Sequence, residues 1–251
     1  MRDQINIRGV AFDNVDLEQA LSVVEGFIVQ GQKGVVHTPN SEIVQLCVEQ
    51  PDYYELINSA DLIIPDGSGV ILASKILKRP LTKGKVAGVD LAARTLALSA
   101  QKGYRVYFLG GKPGVAEMAA EKMTQKYPGL TIAGTRDGYF EKTGPESEAV
   151  IRAVNEAGAQ VLFVCLGVPA QEVWMRANRD ALQVNVMMGL GGSLDVFAGT
   201  AKRAPKIFIK LGLEWFYRLL RQPARIGRMM KLPRFLIGTM MSRKHDVQPS
   251  E

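Results

Sequence analysis

Asp66 closes the apolar run Leu62-Ile63-Ile64-Pro65 and is followed by Gly67-Ser68-Gly69. A carboxylate carried out of a core by such a run can take the proton of a hydroxyl nucleophile, for instance a sugar hydroxyl attacking an anomeric carbon. That step contributes roughly 10²–10⁴-fold in rate. The same residue could equally cap a helix beginning near Ser68. Thr38 and Asn40, in His37-Thr38-Pro39-Asn40, carry the same pair of readings: hydrogen bonds to a substrate, or the cap of the helix after Asn40.

Other catalytic chemistries find little here. His37 is the only histidine outside the last residues, and no activated nucleophile accompanies it. No Asp-x-Asp pair or His/carboxylate cluster has metal-ligand spacing, so no metal site is expected. Cys47 and Cys165 lack the paired spacing of a zinc or redox site and read as buried packing residues. A leaving diphosphate would then be neutralised by arginines and backbone amides.

Glycine-rich segments offer such amides, because a glycine turn before a helix lets a phosphate approach the backbone. Gly110-Gly111-Lys112-Pro113-Gly114 lacks the Gly-Lys-Ser/Thr ending of a Walker A loop. Gly189-Leu190-Gly191-Gly192 begins like a dinucleotide fingerprint, but Leu194 stands at the third glycine position. Each loop could cradle phosphate or simply pack a helix tightly on a strand. Arginines lie further on: Arg218, Arg221, Arg225 and Arg228 fall at i, i+3, i+7 and i+10, one face of a helix if it continues past Pro223. The opposite face holds Leu213, Phe216, Leu219 and Leu220, followed by Met229, Met230, Leu232, Phe235 and Leu236. A basic amphipathic segment of this kind suits a membrane surface, or packs on the domain with its basic face solvated.

The elements that must position these groups alternate. Strand patterns at residues 5–11, 34–37, 61–65, 104–110, 130–135, 160–167 and 185–189 are separated by helical patterns at 16–30, 41–58, 89–102, 115–127, 145–157 and 170–182. This beat predicts an α/β fold, a Rossmann-like, mainly parallel sheet with helices on both faces, whose ligands bind beyond the carboxyl ends of the strands. From Ala201 onward no strand pattern returns, and Pro205, Pro223 and Pro233 divide short helical pieces. The expected organisation is therefore a catalytic domain over residues 1–200 and a basic, amphipathic, membrane-associating tail over 201–251.

Charge supports that division. Residues 202–251 carry twelve Lys or Arg against three acids, whereas the first 201 residues carry nineteen against twenty-two, within a net charge of +6. A basic tail on a mildly acidic body points to an anionic partner. Lipid headgroups are favoured, since no nucleic-acid-binding motif accompanies the charge. With 47% hydrophobic and 22% charged residues the chain is core-forming, and no apolar run is long enough to span a bilayer or serve as a signal peptide.

Six segments occur together and in order: Thr38-Pro39-Asn40; Pro65-Asp66-Gly67-Ser68-Gly69; Phe108-Leu109-Gly110-Gly111-Lys112-Pro113-Gly114-Val115-Ala116; Leu166-Gly167-Val168-Pro169-Ala170-Gln171-Glu172; Gly189-Leu190-Gly191-Gly192-Ser193-Leu194-Asp195 with Ala198-Gly199; and Gly212-Leu213-Glu214-Trp215-Phe216-Tyr217-Arg218. In this the chain resembles the WecG/TagA/CpsF family of inverting glycosyltransferases, over nearly its whole length. The resemblance implies a UDP-sugar donor, a polyprenyl-diphosphate-linked sugar acceptor, no cofactor, and work at the cytoplasmic face of the cell membrane as a peripheral protein. It matches Asp66 to the proposed general base, with Thr38 and Asn40 beside it. It further matches Gln171 to a position near the donor diphosphate, Asp195 and Tyr139 to positions holding uridine, and Arg218, Arg225 and Arg228 to tail arginines that close over the site. Some relatives self-associate, and a homo-oligomer is compatible with the apolar tail face. Two rivals from other classes are a nicotinamide-dependent oxidoreductase, suggested by the partial glycine fingerprint, and a non-catalytic membrane adaptor using the basic tail.

Overall fold

The structure, a computed structural model, describes residues 2–221, 227 and 230–242, with the side chains of Lys206, Lys210, Arg218 and Arg221 excepted. Six parallel strands form one sheet in the order β4-β3-β8-β7-β5-β6: β3 (Gly34–His37), β4 (Leu62–Ile63), β5 (Arg105–Gly110), β6 (Thr131–Arg136), β7 (Val161–Cys165) and β8 (Val186–Gly189). Helices pack on both faces of the sheet, and its strands apart from the half-exposed edge strand β6 read as largely apolar runs. Alternate side chains enter two separate cores. Val35, Ile63, Leu109, Val164 and Met187 face one of them, and Val36, Leu62, Phe108, Phe163 and Met188 face the other.

Helices α1 (Leu17–Val29), α5 (Gly88–Lys102), α6 (Val115–Lys126) and α9 (Ser193–Phe197) cover the Phe108 side. The Val164 side is covered by α2 (Ser41–Glu49), α3 (Asp52–Asn58), α4 (Ser68–Ile76), α7 (Gly144–Glu156) and α8 (Ala170–Asn178). The expected Rossmann-like α/β fold is thus present. Since α2 after β3 and α9 after β8 lie on opposite faces, a crevice opens between the ends of two adjacent strands, the switch point at which ligands bind in such sheets.

Local chemistry divides two of the expected elements. Residues 5–11 are not one strand but a hairpin, β1 (Gln4–Ile7) and β2 (Val10–Asp13), turned at Arg8-Gly9, where both residues have positive φ. The helical pattern over 41–58 breaks into α2 and α3, because Pro51 has no N–H to continue the α2 ladder.

Beyond the sheet lie α10 (Lys206–Lys210), α11 (Glu214–Arg221) and α12 (Lys231–Ser242). The last packs on α2 and α4. Its Phe235 is fully buried, in the same core as Ile7, Val44 and Val70, and Leu232 and Leu236 pack against it. These three residues of the tail's apolar series therefore belong to the protein core. Ile237, Met240 and Met241 of α12, with Ile207, Leu211 and Leu220, remain more than half exposed. Among the described residues no helix is long and apolar enough to cross a membrane.

Candidate active site

The strand β4 pairs with β3 over only two residues, Val36 with Leu62 and His37 with Ile63, so side chains supplement the ladder. Asp13, nearly fully buried, accepts from the Ile63 N–H at 2.8 Å, and Asp61 Oδ2 accepts from the Val35 N–H at 2.9 Å. The extension past β4 is held by Ile64 N–H to the His37 carbonyl at 3.0 Å and Asp66 N–H to the Pro39 carbonyl at 3.3 Å. Asp66 arrives half-buried beside the loop after β3. The cap position of α4 falls on Gly67, at φ 92°, and no side chain caps that helix there. Asp66 therefore stands one residue before the cap position of α4.

Asn40 does cap α2, its Oδ1 accepting from Glu42 N–H at 2.9 Å and Ile43 N–H at 3.2 Å. This engages the carbonyl end of the amide, leaving Nδ2 as the donor that it can turn to a substrate. Thr38 Oγ1 donates to the Gly189 carbonyl at 2.8 Å and so ties the ends of β3 and β8 across the crevice. A Cβ at Gly88 would stand 3.1 Å from Thr38 Cγ2, so the N-terminus of α5 comes directly against this threonine.

The far side of the crevice is built from glycine turns. Gly110 has φ 128°, and a Cβ there would lie 2.3 Å from the Cys165 carbonyl oxygen, while the Gly111 N–H donates to that same carbonyl at 3.1 Å. These two glycines serve close packing, and the Gly111 amide is engaged within the fold. At the β8 turn the Gly191 N–H donates to Gln171 Oε1 at 3.0 Å, so it too has an internal partner; Gly192 is exposed. Gln171 is itself buried, with its Nε2 donating to Glu172 Oε1 at 2.8 Å. It holds the β8–α9 turn from beneath. Asp195 lies half-buried in α9, with its carbonyl accepting from Thr200 Oγ1 and Ala201 N–H. Tyr139 is 66% exposed on the loop after β6, its N–H bonded to Asp137. Helix α6 packs on both α9, which carries Asp195, and β6, which leads to Tyr139.

The chain past α9 crosses the Asp66 side of the crevice. Arg203 Nη1 and Nη2 donate to the two oxygens of Asp90, both at 2.6 Å. Ser68 Oγ donates to the Gly212 carbonyl at 2.7 Å, and Glu214 pairs with Lys85 at 2.7 Å. Leu232 reaches Gly69, where a Cβ would lie 2.7 Å from its Cδ1. Arg218 and Arg221 lie in α11, and Arg225 and Arg228 lie outside the described residues. Sequence reasoning passed over Arg203, Lys85, Asp90 and Glu214. Arg203-Ala204-Pro205 lies outside the helical spacing of the other arginines, and only its contact with Asp90, over a hundred residues away, gives it a place.

Burial sets the electrostatics of the remaining candidates. His37 is lowered to about 4 chiefly by burial, and its Nδ1 faces the Ile57 carbonyl at 3.2 Å, so it is a neutral core residue at ordinary pH. Burial likewise pushes Cys47 and Cys165 up to about 12, as expected of packing residues. Glu172 is raised to about 7 by burial, and its Oε2 is buried without a partner among the described residues. Among those residues no group of three or more His, Cys, Asp or Glu is placed to hold a metal ion. An open groove between α3 and α8, lined by Tyr53, Leu56, Val173 and Arg176, includes none of these site residues.

Parallel strands that end in polar and glycine-rich turns, with helices on both faces of their sheet, define a Rossmann-like α/β protein. The chain belongs to the glycosyl transferase WecG/TagA/CpsF family, whose model matches residues 5–248. It is 35% identical over 244 residues to the N-acetylglucosaminyldiphosphoundecaprenol N-acetyl-β-D-mannosaminyltransferase of Bacillus spizizenii, covering 97% of this chain and 93% of that one. It is 37% identical over 235 residues to proteins of the same name from Staphylococcus aureus strains MW2 and NCTC 8325, covering 93% of this chain and 91% of each. The oxidoreductase and adaptor alternatives give way to this family. Leu194, at the third position of the partial fingerprint, is a fully buried core residue.

Proposed function

We propose that this protein transfers N-acetylmannosamine from a UDP donor to the N-acetylglucosamine of a diphospho-undecaprenol acceptor, inverting the anomeric centre. The observation that carries the reading is the position of Asp66: a half-buried acidic residue just past β4, one residue before the cap of α4, in a chain more than one-third identical to two such transferases. Asp66 takes the proton of the acceptor hydroxyl as the glycosidic bond forms. Asn40 and Thr38 shape the floor beside it, and the turns at Gly110–Gly111 and Gly191–Gly192, two of whose amides are engaged within the fold, line the donor's place without side chains of their own.

The donor's departing diphosphate is stabilised by tail arginines Arg218, Arg221, Arg225 and Arg228 and by helix N-termini, without a metal; Asp195 and Tyr139 take the uridine. The exposed apolar residues of α10, α11 and α12, interleaved with basic ones, support peripheral attachment at the inner face of the membrane, where the lipid acceptor is found. The same face would serve in a homo-oligomer.

Asp66→Asn is the direct test. Turnover of UDP-N-acetylmannosamine with a short-chain lipid-diphosphate acceptor should fall by roughly 10²-fold or more, while UDP affinity by calorimetry stays at the wild-type value. Full turnover by a folded variant would remove Asp66 as the base.

A further inference from the structure

The acceptor's own diphosphate also needs a counter-charge. In the proposed reaction the hydroxyl that loses its proton to Asp66 and the anomeric oxygen that carries the diphosphate belong to the same six-membered ring. The diphosphate therefore comes within one sugar ring of the base, and two anions brought that close repel unless a cation stands between or beside them. The donor diphosphate has a different location. Inversion puts nucleophile and leaving group on opposite faces of the anomeric carbon, so a cation on the Asp66 side serves the acceptor.

Arg203 is on that side. Val86 N–H donates to the carbonyl of Pro65, the residue before Asp66, at 3.1 Å; two residues later α5 begins at Gly88, against Thr38. Asp90 is the third residue of this helix and grips Arg203 through both oxygens. The Arg203 guanidinium is held further in its charged form first by these hydrogen bonds and then by the fields of Asp90, Glu214 and Asp66. Its side chain is 38% exposed, so a solute can reach the guanidinium. Of a guanidinium's five N–H donors, the two end-on bonds to Asp90 leave the Nε–H and the Nη–H beside it pointing the same way, a side-on fork that suits a phosphate, with one further Nη–H on the opposite edge. We infer that Arg203 binds the diphosphate of the lipid-linked acceptor and that Asp90 is the positioning residue that orients it.

This inference rests on Asp66 being the base, and the test separates the two. Two soluble acceptors are compared with the full chain and a UDP-N-acetylmannosamine donor: a short-chain prenyl-diphosphate glycoside and an uncharged alkyl glycoside of the same sugar. Arg203→Ala should lower kcat/KM for the diphosphate acceptor by roughly 10- to 150-fold, the equivalent of one charge-assisted contact. Its rate on the uncharged glycoside and its UDP affinity should not change. Arg203→Lys should recover part of the loss, and Asp90→Asn should raise KM for the diphosphate acceptor while leaving kcat in place. An equal fall on both acceptors, or weakened UDP binding, would overturn the assignment even with Asp66 intact as base. If the wild-type protein transferred sugar to neither acceptor, the proposed reaction would fail and this assignment with it.

Discussion

Thr38 Oγ1 donates to the backbone carbonyl of Gly189 at 2.8 Å, joining the ends of two parallel strands that lie 151 residues apart in the chain. The helices that follow those strands leave on opposite faces, and the backbone pairing of the two strands runs to Val36 and Met188. The hydroxyl carries that coupling past the ladder, from the loop after β3 to the last residue of β8. Its removal exposes what that is worth. Thr38→Val keeps the shape but leaves a buried carbonyl unsatisfied, and should destabilise the protein by about 1–3 kcal/mol in urea unfolding. Stability unchanged from wild type would mean that water replaces the hydroxyl and the strand ends are not coupled through it.

Two buried groups should give opposing pH dependences of stability. Glu172 rises in the folded state from 4.5 to about 7, so between these values the unfolded chain binds fewer protons and stability falls as pH rises. His37 drops from 6.5 to about 4, so across that range the unfolded chain binds more protons and stability rises with pH. In the wild type the two slopes largely cancel between pH 4.5 and 6.5. Glu172→Gln removes one of them. Its stability relative to wild type should climb through the pH window from 4.5 to 7 by at most about 3 kcal/mol, read from chemical denaturation at stepped pH. A constant offset across the window would show that Glu172 does not titrate there.

Phe235 makes α12 part of the folded domain. Phe235→Ala should cost about 3–5 kcal/mol of stability, the scale of a large core truncation, and should lower the single thermal transition of the whole protein. An early melting step confined to α12, with the main transition unmoved, would instead identify the helix as an independent appendage.

The outer face of the same helix should behave oppositely. Ile237, Met240 and Met241 are 58%, 56% and 68% exposed, so replacing all three by serine removes little packing. Co-sedimentation with vesicles containing anionic lipid should weaken by roughly 10-fold or more, as expected when buried apolar area at a membrane surface is lost, while the melting temperature stays close to wild type. Vesicle binding that survives these substitutions would place the membrane contact elsewhere.

Strand-helix alternation, strand-end glycines and the run leading to Asp66 were legible in order along the chain because they are local patterns: period, turn chemistry and apolar runs need no distant partner. Asn40 could be placed at a helix start for the same reason, and its side chain does cap α2. At Asp66, backbone geometry added what local pattern lacked: the cap position falls one residue later, on Gly67, with a positive φ. The tertiary fold alone decided three further matters. It buried Gln171 beneath the β8 turn and engaged the Gly191 amide with it, a pairing across twenty residues that no spacing rule predicts. It divided the apolar series of the tail, placing Phe235 in the core and Ile237 in solvent, because which stripe of an amphipathic helix is covered depends on the neighbour it meets. It also brought Arg203 to Asp90 over 113 residues of chain. Charge at a crevice depends on which distant groups share it, and that sharing is a property of the folded chain.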